Sequence, residues 1–163
     1  MLDLACGDAG QAEPLLERGL AYVGVDASEA MVEAARRRLG AHAEIHLADL
    51  NDFVPATPVA ATTIFRALYY ARDRRELFRR IASYTDKKLV FDLNPRQYRL
   101  KDVRADLVAA GLDRLDLRPF FSPQRVALPA ALRRLLRAAE EVDPLARLAL
   151  RFRFSYLCSA SRH

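Results

Sequence analysis

The sequence has few cysteines, few lysines and no long apolar stretch, and two of these shortages exclude whole classes of protein. Cys6 and Cys158 are too few for the disulfide framework of a small secreted domain. No apolar run approaches the roughly 18 residues that a membrane-spanning helix needs, and no basic-then-apolar signal segment precedes the first strand. We therefore expect a cytoplasmic protein with no membrane association.

The charged residues are unevenly divided between the two parts of the chain. Residues 1–65 carry 4 basic and 10 acidic side chains, and residues 66–163 carry 22 basic and 11 acidic ones, for a net charge of +5. A basic half is compatible with a nucleic-acid or acidic partner. Because only three of the basic residues are lysines, the excess is also typical of arginines that decorate exposed helix faces. Both interpretations stay open.

The length and composition indicate one globular domain. The chain has 163 residues, of which 52% are apolar and 29% charged, enough for a real core and too apolar for disorder. It contains no internal repeat, low-complexity tract or interdomain linker. We expect residues 1–163 to form a single domain.

Short apolar runs alternate with amphipathic segments, which is typical of strands alternating with helices. The predicted strands are the run ending before Gly7 and residues 20–25, 43–47, 59–65, 88–93 and 112–117. The predicted helices are residues 11–18, a segment capped by Ser28 and ended by Gly40, a segment capped by Asp73 and ending near Ser83, and residues 100–110. The inward side chains are predicted to be Leu15, Leu16, Met31, Val32, Ala35, Leu39, Leu77, Phe78, Ile81, Val103, Leu107 and Val108.

The last part of the chain is less regular. Residues 118–129 contain three prolines and are predicted to be irregular, and residues 129–142 are predicted to form a helix. Residues 147–157 alternate apolar and polar side chains, which predicts a strand with one exposed face. The first five strands, which alternate with helices, predict a parallel, doubly wound α/β sheet.

The first ten residues place a small-residue turn between a buried strand and a helix. Gly7 and Gly10 let the main chain approach a ligand, and N–H groups at a helix start point towards it. Asp26 ends the second predicted strand and Asp49 the third. An acid about 20 residues beyond such a turn is placed to accept hydrogen bonds from a ribose. The pattern predicts a cofactor cleft at the carboxyl ends of the strands.

Residues 3–10, Asp-Leu-Ala-Cys-Gly-Asp-Ala-Gly, resemble motif I of the class I S-adenosylmethionine-dependent methyltransferases, which is usually acid-x-Gly-x-Gly-x-Gly. Ala5 and Ala9 stand where that family more often has glycine. The resemblance implies a seven-stranded, mostly parallel Rossmann-like sheet with an antiparallel C-terminal edge hairpin. The family usually has a helical lid before the first strand, whereas this chain begins inside that strand. We therefore expect the usual lid to be lacking, either because the start is truncated or misassigned or because the lid comes from elsewhere.

The resemblance also implies which residues contact S-adenosylmethionine. The methionine tail is expected near the first turn, the ribose at the end of the second strand, the adenine beside the second helix and third strand, and the amino group near the end of the fourth strand. The residues implied for the methionine tail are Asp3, Ala5, Cys6 and Gly7, and the residue implied for the ribose is Asp26. Those implied for the adenine are Ala27, Met31, Asp49 and Leu50, and the residue implied for the amino group is Arg66. Cys6 is not expected to be catalytic, and no metal site is expected.

The methyl acceptor is predicted to lie beyond the fourth strand, beside Tyr69 and Tyr70. Either tyrosine would orient or deprotonate a nucleophile, or both would form an aromatic wall. Because positioning supplies much of the rate of an in-line displacement, no dedicated base is required. Asn94 and Arg96 are further candidates for substrate contact. Further residues predicted to frame a pocket for an acidic or aromatic small molecule are Arg99, Arg118, Phe120, Phe121 and Arg125.

The predicted function is methylation of a small molecule by a monomer or homodimer, and three alternatives accompany it. A chain without its lid would bind the cofactor without turnover. An RNA methyltransferase would use the basic half and bind RNA with steep salt dependence, although aromatic residues are not interleaved with the arginines as single-strand binding usually requires. A dinucleotide site would need Gly-x-Gly-x-x-Gly, which Gly7 and Gly10 do not provide, and Asp8 would repel a pyrophosphate.

Overall fold

The computed structural model describes residues 1–120 and 155–162, together with positions 129, 131, 134 and 138. The strands are β1 (Leu2–Leu4), β2 (Val23–Asp26), β3 (Glu44–Leu47), β4 (Val59–Ile64), β5 (Thr85–Leu93), β6 (Arg114–Phe120) and β7 (Ser155–Ser161). The helices are α1 (Glu13–Leu16), α2 (Glu29–Leu39), α3 (Arg74–Tyr84) and α4 (Leu100–Ala109), with short 3-10 turns at Gly40–His42 and Leu68–Tyr70. Most of the predicted helix over 129–142 and the first part of the predicted strand over 147–157 lie outside the described residues.

The seven strands form one sheet in the order β3-β2-β1-β4-β5-β7-β6. The neighbouring pairs among β1 to β5 are parallel, and β7 runs antiparallel to both β5 and β6. The predicted mostly parallel sheet with an antiparallel edge is confirmed. Because the chain order reverses between β1 and β4, the crevice for a ligand lies at the carboxyl ends of the central strands.

The sheet is held by two apolar clusters. One packs α3 and α4 against the central strands and contains the fully buried rings of Phe78 and Phe91, whose centroids are 5.6 Å apart. The other packs α2 against β2 and β3 through Val32, Ala35 and Leu39. The predicted inward positions of α2, α3 and α4 are thus largely confirmed. Within the described parts of the chain, none of the helices has the length and apolar character that a bilayer crossing demands.

Two predicted inward residues are wrong. Met31 is 42% exposed and Val108 is 52% exposed. Val103 and Leu107 form the buried stripe of α4, and Val108 is turned about 100° from Leu107 on a helix of 3.6 residues per turn. Met31 lies near the start of α2, where the helix lines the crevice.

Several element bounds also differ from the predictions. The first helix is a single turn, Glu13–Leu16, instead of residues 11–18, and β2 begins at Val23 instead of residue 20. β5 begins earlier, at Thr85, whose buried hydroxyl lies 2.7 Å from that of Thr62. β6 is shifted to Arg114–Phe120 and includes residues predicted to be irregular. It can pass through Pro119 because it lies at the sheet edge, where a missing N–H is tolerated.

Candidate functional site

A cavity of about 690 Å³ lies at the carboxyl ends of the central strands. Its wall comes from the segments that follow β1, β2, β3 and β4 and from the start of α2. The predicted site residues that line it are Ala5, Asp26, Ala27, Met31, Asp49, Leu50, Arg66, Tyr69 and Tyr70. The remaining lining residues are Ser28, Ala48, Asn51, Phe65, Ala67 and Arg72. The structure therefore brings most of the predicted residues together at one crevice.

The turn after β1 has a left-handed main chain at every second residue. The φ angles are 56° at Ala5, 58° at Gly7 and 55° at Ala9. These are the positions at which the methyltransferase motif that this turn resembles usually has glycine. For a residue with a Cβ this conformation costs roughly 1–2 kcal/mol. Ala9 is fully buried, so packing of its methyl group offsets part of that cost. The two alanines reproduce the shape of the glycine-rich turn.

Asp26 joins this turn to the start of α2. Its Oδ2 accepts a hydrogen bond from the main-chain N–H of Gly7 at 2.8 Å, and its Oδ1 accepts one from the N–H of Ser28 at 2.9 Å. Each carboxylate oxygen can accept a second bond, and the half-buried side chain reaches the cavity. Gly7 belongs to the site through its N–H, although it does not line the cavity. Ser28 immediately precedes α2, but its hydroxyl does not cap the helix as predicted.

Asp49 is held by Asn51 and Arg72, two residues that were not predicted to belong to the site. Its Oδ1 accepts bonds from the main-chain N–H and the Nδ2 of Asn51, at 2.7 and 2.8 Å, and its Oδ2 accepts one from Nη2 of Arg72 at 2.7 Å. The main-chain bond from Asn51 is the largest of the effects that hold the pKa of Asp49 below its usual range, and the Arg72 charge adds to it. Asp49 is therefore an oriented, ionised carboxylate.

Asn51 connects the loop after β3 to the turn that carries the two tyrosines. Its Nδ2 also donates to the carbonyl of Tyr70 at 3.0 Å, and its Oδ1 accepts from the main-chain N–H of Arg72 at 2.9 Å. The side chain is only 9% exposed. An amide two residues after a strand-ending acid was the signal in the sequence, since such a pair often forms a local turn.

Tyr69 and Tyr70 form an exposed aromatic pair at the mouth of the cavity. Their rings are 4.4 Å apart at an interplanar angle of 49°, and the residues are 54% and 60% exposed. Hydrogen bonding to Tyr70 and some desolvation raise the pKa of Tyr69. A higher pKa keeps that phenol protonated at neutral pH, which weighs against a role as a catalytic base.

Asp3 and Cys6 lie behind the cavity wall. Asp3 is 6% exposed, and its two oxygens accept bonds from the hydroxyls of Tyr22 and Thr63 at 2.7 and 2.6 Å. Burial raises the pKa of the Cys6 thiol to about 12, which keeps it protonated. The structure therefore gives Asp3 a place in the sheet core and leaves Cys6 as a packing residue of the turn.

The predicted substrate residues after β5 do not reach this cavity. The Oδ1 of Asn94 accepts from the main-chain N–H of Arg96 at 3.0 Å, within a local turn, and neither residue lines the cavity wall. Arg99 immediately precedes α4, and Arg118 is an exposed residue of β6. The side chain of Phe120 and the predicted contacts Phe121 and Arg125 lie outside the described residues.

Asp8 is turned towards α2 and does not line the cavity. Its Oδ2 accepts from Nη2 of Arg38 at 2.6 Å, and its carbonyl accepts from Nε of the same guanidinium at 3.1 Å. Asp8 is paired with Arg38 away from the cavity wall, so the prediction that it would repel a pyrophosphate in the cleft is wrong. A different feature weighs against a phosphate at this turn, since α1 is too short to present the aligned N–H groups and dipole of a long helix.

Burial of Asp3 predicts a pH-dependent stability. Desolvation is the largest cause that raises the pKa of this carboxyl above its ordinary value of 3.8, and it outweighs the bonds from Thr63 and Tyr22. The folded state then binds the proton more tightly than the unfolded state. Its stabilising effect is complete below pH 3.8 and is lost as the pH rises through the higher folded pKa. Urea unfolding across this range measures this contribution when wild type is compared with a variant that is neutral at position 3.

The Asp3→Asn variant is the matched comparison, because it is neutral at every pH and nearly isosteric. We expect the stability difference between Asp3→Asn and wild type to change in the variant's favour as the pH rises above 3.8. Other acids, such as Asp49 with its lowered pKa, act equally in both proteins and cancel. A difference that stays constant with pH would contradict the raised pKa of Asp3.

The strand order and the position of the crevice define the class I methyltransferase fold. Residues 1–88, more than half of the sequence, match the family described as methyltransferase domain. The chain belongs to this family. No significant match was found among curated proteins.

Solved structures of methyltransferases share the fold over nearly the whole chain. Magnesium protoporphyrin IX methyltransferase from Synechocystis, with bound S-adenosylmethionine, is 18% identical with a TM-score of 0.67, over 99% of this chain and 69% of that one. A methyltransferase in complex with a methyltransferase activator from Haloferax volcanii is 20% identical with a TM-score of 0.71, over 99% and 81%. An S-adenosylmethionine-dependent methyltransferase from Clostridium acetobutylicum is 14% identical with a TM-score of 0.70, over 99% and 82%.

Proposed function

We propose that this protein binds S-adenosylmethionine in the cavity and transfers its methyl group to a small molecule. The observation that carries the proposal is Asp26, a carboxylate at the end of β2 that is anchored by two main-chain N–H groups and faces the cavity. Asp49 supplies a second oriented carboxylate at the end of the neighbouring β3. Relatives of this fold were crystallised with S-adenosylmethionine or its demethylated product.

The residues of the cavity fit this cofactor. A volume of about 690 Å³ is within the usual range of roughly 300–1,000 Å³ for ligand pockets. The ribose diol suits the free lone pairs of Asp26, and the adenine suits the apolar surfaces of Ala27 and Met31. Asp49 and the neighbouring Leu50 would meet the adenine amino group. Arg66, at the end of β4, would offer its main chain to the amino group of the methionine tail.

Bound S-adenosylmethionine supplies an electrophilic methyl group on a sulfonium. The protein then has to place a nucleophile in line with that group and exclude competing water. Tyr69 and Tyr70 would provide the wall against which an acceptor packs, and the adjacent Arg66 would favour an acidic or aromatic acceptor. Asp3 would support the turn from behind the cavity wall without direct contact with the cofactor.

Calorimetric titration and a methyl-transfer assay test the proposal together. S-adenosylmethionine, S-adenosylhomocysteine and NAD are titrated into the purified chain, and labelled methyl transfer is then measured with panels of small phenols and carboxylic acids and with total RNA. Micromolar binding of the first two ligands and transfer to a small molecule would support the proposal. Binding of NAD alone would contradict the cofactor, transfer to RNA alone would contradict the acceptor class, and binding without any transfer would indicate a module that only binds the cofactor.

The tyrosine pair gives a prediction about the acceptor. Tyr69→Phe keeps the ring and removes the hydroxyl, so we expect kcat to change by less than about threefold if the ring serves as a wall. Tyr69→Ala removes the wall, and we expect KM for the acceptor to rise by about tenfold with unchanged cofactor affinity. Steady-state kinetics with the acceptor found in the panel would measure both. A large loss of kcat in Tyr69→Phe would assign a proton-transfer role to the hydroxyl.

A further inference from the structure

Asp92 is an acid near the end of β5, between the fully buried residues Phe91 and Leu93. Its Oδ1 accepts a hydrogen bond from the main-chain N–H of Arg66 at 2.6 Å. The parallel ladder of β4 and β5 ends at the pair of Ile64 and Phe91, so Arg66 lies beyond it. The carboxylate therefore binds the main-chain amide of a residue that follows the last paired residue of β4.

The main chain of Arg66 is held in an unusual conformation at this point. Its φ angle is 53°, in the left-handed region that favours glycine. A residue with a long side chain keeps this conformation only where its surroundings fix it, and such residues are concentrated at functional sites. Arg66 lines the cavity together with its neighbours Phe65 and Ala67. The shape of this part of the wall thus depends on a strained residue.

We propose that Asp92 is a positioning residue for the cofactor site, which holds the left-handed main chain of Arg66 and thereby shapes residues 65–67 of the wall. The inference rests on the proposed function, because the wall matters for binding only if S-adenosylmethionine occupies the cavity. Asp92 is not one of the residues that line the cavity, so it acts through the main chain of Arg66.

Replacement of Arg66 by glycine distinguishes positioning of the main chain by Asp92 from a direct contact of Asp92 with the cofactor. Glycine adopts the left-handed conformation without a Cβ clash, so it needs less help from Asp92 than alanine does. Arg66→Ala and Arg66→Gly both remove the guanidinium and differ only in that clash. Asp92→Ala is therefore introduced into wild type, Arg66→Ala and Arg66→Gly, and S-adenosylmethionine affinity is measured by calorimetry in each.

We expect Asp92→Ala to weaken cofactor binding about tenfold in wild type and in Arg66→Ala, because it removes a hydrogen bond to a charged acceptor. In Arg66→Gly the same change should weaken binding by less than about threefold. An equal loss in all three backgrounds would overturn the proposal in favour of a direct contact. Unchanged affinity in all three would overturn it as well.

Two further variants control for folding. Asp92→Asn keeps an oxygen acceptor for the Arg66 N–H and should bind the cofactor within about threefold of wild type, whereas a full tenfold loss would contradict the hydrogen-bond role. Asp86→Ala removes an exposed acid at the other end of β5 and should change nothing.

Urea unfolding of the same variants tests the main-chain contact without any cofactor. The contact predicts that Asp92→Ala costs more stability in Arg66→Ala than in Arg66→Gly, and an equal cost would contradict it. If wild type bound no S-adenosylmethionine, the proposed function and the role in cofactor binding would both fail. The unfolding difference would then report on the main-chain contact alone.

Discussion

Replacement of Asp26 by alanine is expected to weaken S-adenosylmethionine binding by at least about 100-fold, because two charge-assisted bonds to the ribose would be lost at roughly 1.5–3 kcal/mol each. The variant also loses the acceptors for the N–H groups of Gly7 and Ser28, so the turn after β1 is no longer tied to the start of α2. Both effects act in the same direction. Calorimetric titration of the cofactor into the variant measures the loss.

Two further variants show whether the lower cofactor affinity of Asp26→Ala results from the lost contacts of this carboxylate. Asp26→Asn keeps one carbonyl acceptor without the charge, and its affinity should fall between those of wild type and Asp26→Ala. Asp52→Ala removes an acid that does not itself line the cavity, although it bonds to the lining residue Arg72, and the affinity of this variant should stay within about threefold of wild type. Retention of micromolar affinity by a folded Asp26→Ala protein would rule out the ribose role of this carboxylate.

Replacement of Phe91 by alanine is expected to lower the free energy of unfolding by about 3–5 kcal/mol, the usual cost of a large cavity in a core. The ring is fully buried and packs on Phe78 from α3. Its strand pairs with β4 on one side and β7 on the other, so the cavity would open at the centre of the sheet. Urea unfolding of wild type and variant measures the difference.

Two smaller substitutions, one at the same position and one on the exposed side of α4, provide the comparison for this loss of stability. Phe91→Leu keeps most of the apolar volume and should cost about 1–2 kcal/mol. Val108→Ala removes an apolar side chain that is 52% exposed and should change stability by less than about 0.5 kcal/mol. A cost for Phe91→Ala as small as that for Val108→Ala would mean that the core relaxes to fill the space.

The sequence predicts those parts of the fold and site that depend on local patterns. Asp26 and Asp49 each follow an apolar run, and parallel strands bring their carboxyl ends to one edge, so both acids were expected at one crevice. Ala5 and Ala9 were compared with glycines, and their left-handed angles show that the turn shape is kept although the residue type differs. Whether these residues bind the cofactor stays a prediction.

The missed residues act through contacts between distant parts of the chain. Asn51 bonds to Tyr70 and Arg72, and Asp92 bonds to Arg66, so their roles depend on which loops the sheet places side by side. Periodicity cannot show such partners. Met31 was placed inside by its spacing on α2, but a helix end that overhangs a crevice exposes a side chain that the middle of the same helix would bury.

The position of β7 has a consequence for the order in which the sheet is assembled during synthesis. Among the described strands, β6 pairs with β7 alone, and β7 lies between β5 and β6 although it is the last of the seven to be made. Therefore β6 cannot join the sheet, and the edge of β5 stays unpaired, until β7 has been made and inserts between them. Pairing over a long sequence separation is slow, so the nascent chain keeps an unpaired edge of β5 that can associate with other chains until β7 has been made.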